Sequence, residues 1–247
     1  MKVQSNFSNP LIIALDTNTL EQAEFFVEET RSYCQIYKVG LELFTACGPK
    51  AIEMIHQKGA QVFLDLKLHD IPHTVGSAIK AAHQLGVRFL TVHAMGGPSM
   101  LAEAARTQSA LKNPPELLAV SVLTHHSETE LHTMGFQASV RDLVCDRLQM
   151  AYDAGLRGCV CSPQEAPWVR AKWPTGFTMV CPGIRPLESD QNDQTRIATP
   201  FSAVLQGADY LVVGRPIVQS KHPKKAAEQI AHEIQEGLHA RAQAQSV

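Results

Sequence analysis

What most constrains this chain is a regular alternation of two kinds of segment. Eight short runs rich in Val, Ile and Leu are each followed by a stretch whose apolar residues have helical spacing. The runs lie at 11–16, 37–43, 61–67, 88–94, 117–124, 158–162, 177–183 and 210–217. The helical patterns lie at 19–31, 48–58, 74–85, 98–108, 139–154, 164–171, 200–206 and 223–238. A helix between consecutive strands implies parallel pairing with crossovers. Strands that are apolar at nearly every position are buried on both faces. Eight such units in 247 residues predict a single-domain (β/α)8 barrel, with a flexible tail from about residue 240. An open doubly wound sheet is the competing architecture, but no GxGxxG follows the first run to support its dinucleotide-binding form.

Composition narrows the partners. Hydrophobic residues make up 45% of the chain, enough for a large core, and 19% are charged, which argues against disorder. The net charge is −2 and there is no long basic run, so bulk-charge binding to nucleic acid or to a membrane surface is not expected. None of the six cysteines forms a CxxC pair, and Cys159 and Cys161 fall on one strand face, as expected of reduced, buried thiols. Residues 1–10 lack an apolar signal core, and no apolar run reaches the roughly 20 residues that span a membrane. The expected compartment is the cytoplasm.

Barrel active sites form at the C-terminal ends of the strands, so charge at those ends is informative. Asp16 closes the first run, Lys38 lies within the second, and Asp65 and Lys67 end the third with Asp70 just beyond. His93 ends the fourth, Thr124 the fifth, and Arg185 and Arg215 follow the seventh and eighth. Buried charges must pair, reach water or meet a ligand. Asp65 and Lys67, two apart in a strand, leave the same face. A lysine so placed either donates a proton at a dry carbon centre or is half of an ion pair. The addition of Lys38 and Asp70 favours the functional reading. His93 fits either a catalytic role or a hydrogen-bonded place in the core. His69, His73, His125 and His126 raise a zinc site as the alternative, but no HExxH or Cys/His spacing supports one.

Two elements, Pro182-Gly183-Ile184-Arg185-Pro186 and Gly214-Arg215-Pro216, follow the last two runs, where many barrels bind phosphate. Glycine lets main-chain N–H groups approach an anion, and arginine offers a two-pronged donor. The polar segment between them, 187–196, includes Gln194 and is suited to closing over a ligand.

The run Phe63-Leu64-Asp65-Leu66-Lys67-Leu68-His69-Asp70-Ile71-Pro72-His73-Thr74 resembles the signature of the orotidine 5′-monophosphate decarboxylase family. Further similar blocks are Leu11-Ile12-Ile13-Ala14-Leu15-Asp16, Tyr37-Lys38-Val39-Gly40, Val92-His93-Ala94, Val122-Leu123-Thr124, the Pro182–Pro186 element with Asp193-Gln194, and Val213-Gly214-Arg215-Pro216. The resemblance runs from the first strand to the eighth. Cys181, where threonine is common, and Thr195, where a basic residue is common, are its small departures. It implies a (β/α)8 barrel and conversion of orotidine 5′-monophosphate (OMP) to UMP and CO2, the last step of de novo UMP synthesis. It implies neither metal nor organic cofactor. It makes Lys67 the proton donor to C6 and sets Asp65 beside the substrate carboxylate, with Lys38 and Asp70 completing the charge array. Asp16 and Lys38 would contact the ribose, and Thr124 the pyrimidine. Arg185, Gln194, Gly214 and Arg215 would hold the phosphate region. It also implies a homodimer in which Asp70, Ile71 and Thr74 complete the partner's site.

Overall fold

The computed structural model describes residues 9–186 and 198–245. The chain begins with β1 (Leu11–Ala14), α1 (Leu20–Thr30), β2 (Ile36–Gly40), α2 (Leu41–Cys47), α3 (Lys50–Gln57) and β3 (Gln61–Leu68). It continues with α4 (Pro72–Gln84), β4 (Phe89–His93), α5 (Gly97–Ser109), β5 (Glu116–Val120), α6 (Glu128–Thr133), α7 (Val140–Ala154) and β6 (Gly158–Val160). The last part holds α8 (Ala166–Lys172), β7 (Thr178–Cys181), α9 (Pro200–Leu205), β8 (Tyr210–Val213), α10 (Arg215–Val218) and α11 (Pro223–Gln245). Every strand pairs in parallel with its sequence neighbours, and β8 returns to β1, so the sheet closes into an eight-stranded barrel. Closure excludes the open doubly wound sheet.

Strand alternation sorts the apolar residues into two layers. Ile12, Ile36, Phe63, Phe89, Leu118, Val180 and Val212 fill the barrel interior. Their neighbours, such as Leu11, Ile13, Val62, Leu64, Leu90 and Leu211, face the helices and join the larger outer core. Phe63 and Phe89 meet edge to face at 5.9 Å, and Phe89 meets Tyr210 at 5.1 Å. These ring contacts pack the barrel interior.

Helix ends follow local chemistry. Thr19 accepts from the Gln22 N–H at the start of α1, and Ser139 from the Asp142 N–H at the start of α7. Ser127 and Glu130 form a reciprocal capping box on α6, inside the stretch 125–138 that sequence periodicity leaves as a polar connection. Gly155, left-handed at φ 110°, ends α7.

Two apolar runs prove to be a strand plus the start of a helix. The run 37–43 leaves the sheet at Gly40, and 210–217 leaves it at Val213, where α2 and α10 begin. The last helix runs on to Gln245, past the residue-240 start expected for a tail, and the Arg241 guanidinium donates to the carbonyls of Val204 and Ala208. No helix among the described residues is long and apolar enough to cross a membrane.

Candidate functional site

The C-terminal mouth of the barrel holds a cavity of about 610 Å³. It is lined by eight of the residues expected from sequence: Asp16, Lys38, Asp65, Lys67, Thr124, Arg185, Gly214 and Arg215. Its floor is Phe63, and its apolar walls include Val120, Leu123, Val160 and Val212.

The polar centre comes from β2 and β3, which pair so that Gly40 lies opposite Asp65. Lys67 Nζ donates to both oxygens of Asp65 at 3.0 Å. Lys38 Nζ lies 3.9 Å from the same carboxylate and 3.4 Å from Asp16. The Asp65 and Lys38 side chains are each only 14% exposed, and their charges are compensated within the cluster, Asp65 chiefly by Lys67 and Lys38 chiefly by Asp16. Gly214 crowds the rim: a Cβ there would lie 2.8 Å from the Asp16 carboxylate.

Asp65 and Lys67 do meet, but regular strand geometry is not what brings them together. The β3–β4 register shifts between Leu64 and Leu68, and Lys67 has a left-handed φ of 51°. Its N–H, removed from the ladder, donates to Thr91 Oγ1 at 2.8 Å, and that hydroxyl donates to Asp65 Oδ1 at 3.0 Å. Thr91 is a residue that sequence reasoning passed over. A hydroxyl inside the run Phe89-Leu90-Thr91-Val92 reads as an ordinary strand residue.

At the opposite rim, Arg185 is buried and donates to the Ile184 carbonyl at 2.9 Å. The Arg185 N–H donates to the Ala198 carbonyl, and the Ala198 N–H to the Gly183 carbonyl. This bridge joins described residues on either side of 187–197; Gln194 lies outside the described residues. Asp16 and Thr124 lie two and four residues past their strands, on loops that turn into the cavity.

Asp70, Ile71 and Thr74 do not line this cavity. All three are exposed, Ile71 at 66%. Asp70 accepts from the Ile71 N–H at the start of α4. His93 is also outside the cavity. Its ring stacks on His69 at 5.5 Å, and its Nδ1 accepts from the Met95 N–H. Burial is the main cause of its pKa falling to about 4, so the ring is neutral near pH 7. Among the described residues, no three His, Cys, Asp or Glu side chains converge as a metal-ligand set.

A larger groove of about 950 Å³ opens at the other end of the barrel. Its charges are engaged with the fold: Arg170 lies 2.6 Å from Asp209, and Arg241 binds carbonyls. The C-terminal mouth is therefore the candidate site.

Known proteins of similar sequence show which family the chain falls in. A family model described as "Orotidine 5'-phosphate decarboxylase / HUMPS family" matches residues 9–230. An orotidine 5'-phosphate decarboxylase of Saccharophagus degradans is 44% identical over 230 residues, covering 93% of this chain and 97% of that one. One of Trichlorobacter lovleyi is 41% identical over 233 residues, covering 93% and 97%. The crystal structure of the orotidine 5'-phosphate decarboxylase of Lactobacillus acidophilus superposes with a TM-score of 0.80 at 36% identity, covering 92% of this chain and 99% of that one. The chain belongs to the orotidine 5'-phosphate decarboxylase / HUMPS family.

Proposed function

We propose that this protein decarboxylates orotidine 5′-monophosphate to UMP and CO2, the last step of de novo UMP synthesis, with Lys67 as the proton donor. The observation that carries this reading is the Lys38–Asp65–Lys67 cluster lining a cavity that two arginines also line.

Loss of CO2 breaks the bond from C6 to the carboxylate and leaves the electron pair on C6, in the plane of the ring. The ring π system delocalises such a pair poorly, so stabilisation must come from the site. The Lys67 ammonium supplies it: its charge faces the developing carbanion, and one of its protons then goes to C6. Both actions are stronger at the transition state than in the bound substrate, which is what accelerates a reaction. Asp65, set beside the substrate carboxylate, repels the negative charge carried there in the bound substrate, and that repulsion is relieved as the charge moves to C6 and CO2 departs neutral. Lys38 balances Asp65 and, with Asp16, contacts the ribose. Thr124 faces the pyrimidine. Arg185, Gln194, Gly214 and Arg215 hold the phosphate, and binding energy gained there positions the ring over Lys67. The site works without metal or organic cofactor.

The protein acts as a homodimer in which Asp70, Ile71 and Thr74 complete the partner's site. Their exposure, and their absence from their own chain's cavity, support this assignment.

The test is the loss of OMP absorbance with purified protein in EDTA. Conversion to UMP is the expected result. An inert, folded protein would overturn the reading, and activity on a sugar phosphate restored by Mg²⁺ would put a different reaction in its place.

A further inference from the structure

Lys67 sits where strand pairing breaks. From Leu64 to Leu68, β3 takes four steps while β4 takes two, from Leu90 to Val92, so β3 carries two extra residues (4 − 2). A bulge re-aims side chains but leaves main-chain donors without a ladder partner. A left-handed φ at a residue with a side chain is also strained, and the conformation persists only when its surroundings enforce it. The group that meets both demands is the Thr91 hydroxyl, fully buried at 0% exposure. A hydroxyl has one proton and two lone pairs. Its proton goes to Asp65 Oδ1, and a lone pair takes the Lys67 N–H. Asp65 in turn holds the Lys67 ammonium. The main chain and the side chain of one lysine are thus joined in a closed ring through Thr91 and Asp65. Thr91 does not line the cavity, so it acts only through these two residues.

We propose that Thr91 is a positioning residue for the decarboxylation: its hydroxyl locks the β3 bulge in the conformation that aims Lys67 and Asp65 at the reacting carbon. The proposal rests on the reading of Lys67 as proton donor. Thr91→Val keeps the shape and removes the hydroxyl, whereas Thr91→Ser keeps the hydroxyl. The expected result is a kcat about a hundredfold lower in Thr91→Val, as a misplacement near 1 Å produces, with UMP affinity within about threefold of wild type. Thr91→Ser should keep kcat within about threefold of wild type. A role confined to stability would lower the melting temperature while leaving the turnover of each folded molecule unchanged. Wild-type turnover in folded Thr91→Val, or an equal loss in Thr91→Ser, would overturn the proposal. If Thr91→Val does not fold, Thr91→Ala set against Thr91→Ser gives the same contrast. Lys67→Ala, assayed alongside, separates the two claims. Its retained turnover would refute the Lys67 reading, whereas its loss beside normal Thr91→Val would refute the Thr91 role alone.

Discussion

His93 and Arg215 show how differently single residues at one barrel mouth can behave. The His93 ring is held neutral, chiefly by burial, with a pKa near 4 against an ordinary 6.5. Because the folded value is depressed, the unfolded chain takes up this proton first. His93 therefore costs no stability above pH 6.5, and stability is lost as the pH falls from about 6.5 toward 4. His93→Gln should flatten the fall of melting temperature across that window, and parallel curves for variant and wild type would refute this. The sequence left open whether His93 is catalytic. Its hydrogen bond to the Met95 N–H and its place outside the cavity favour the structural role. Arg215 lies inside the cavity. Loss of a charge-assisted contact to phosphate should lower kcat/KM for OMP by about a hundredfold in Arg215→Ala. Unchanged kinetics would remove Arg215 from the phosphate site.

At the scale of elements, the eight strands were legible because burial on both faces makes them nearly continuous apolar runs. Their C-terminal limits were not. In 37–43 and 210–217 the apolar character continues into a helix, and only Gly40 and Gly214 mark the change. The bulge in β3 was equally hidden. A spacing of two correctly placed Asp65 beside Lys67, yet the regular strand assumed in that reasoning is absent there, and Thr91 supplies what the ladder does not. The turn after β8 is tight because a Cβ on Gly214 would come within 2.8 Å of Asp16 and 3.4 Å of Ala14. Gly214→Ala should displace the Asp16 carboxylate from Lys38 and raise KM for OMP by about tenfold, or about 1.4 kcal/mol, with little change in kcat. An unchanged KM would show that the Asp16 position is immaterial to binding.

At the scale of the whole molecule, closure of the barrel brings residues from across the chain around one cavity, and the order of the strands sufficed to foresee it. The trio Asp70, Ile71 and Thr74 is exposed and does not line its own chain's cavity, and the proposed role of these residues in a second copy's site can be tested by mixing variants. Lys67→Ala and Asp70→Ala subunits should each be nearly inactive alone. After subunit exchange, random pairing should restore about a quarter of the wild-type sites, since half the dimers carry one site free of both lesions. Mixed dimers that stay inactive would place Asp70 in the same site as its own Lys67.

If the Lys67 ammonium carries the chemistry, its removal alone should stop the reaction. In Lys67→Ala, Asp65 still has Lys38 at 3.9 Å, so the site keeps a compensating charge. Turnover of saturating OMP by the folded variant should be abolished while UMP still binds. Turnover near that of the wild type would contradict the claim.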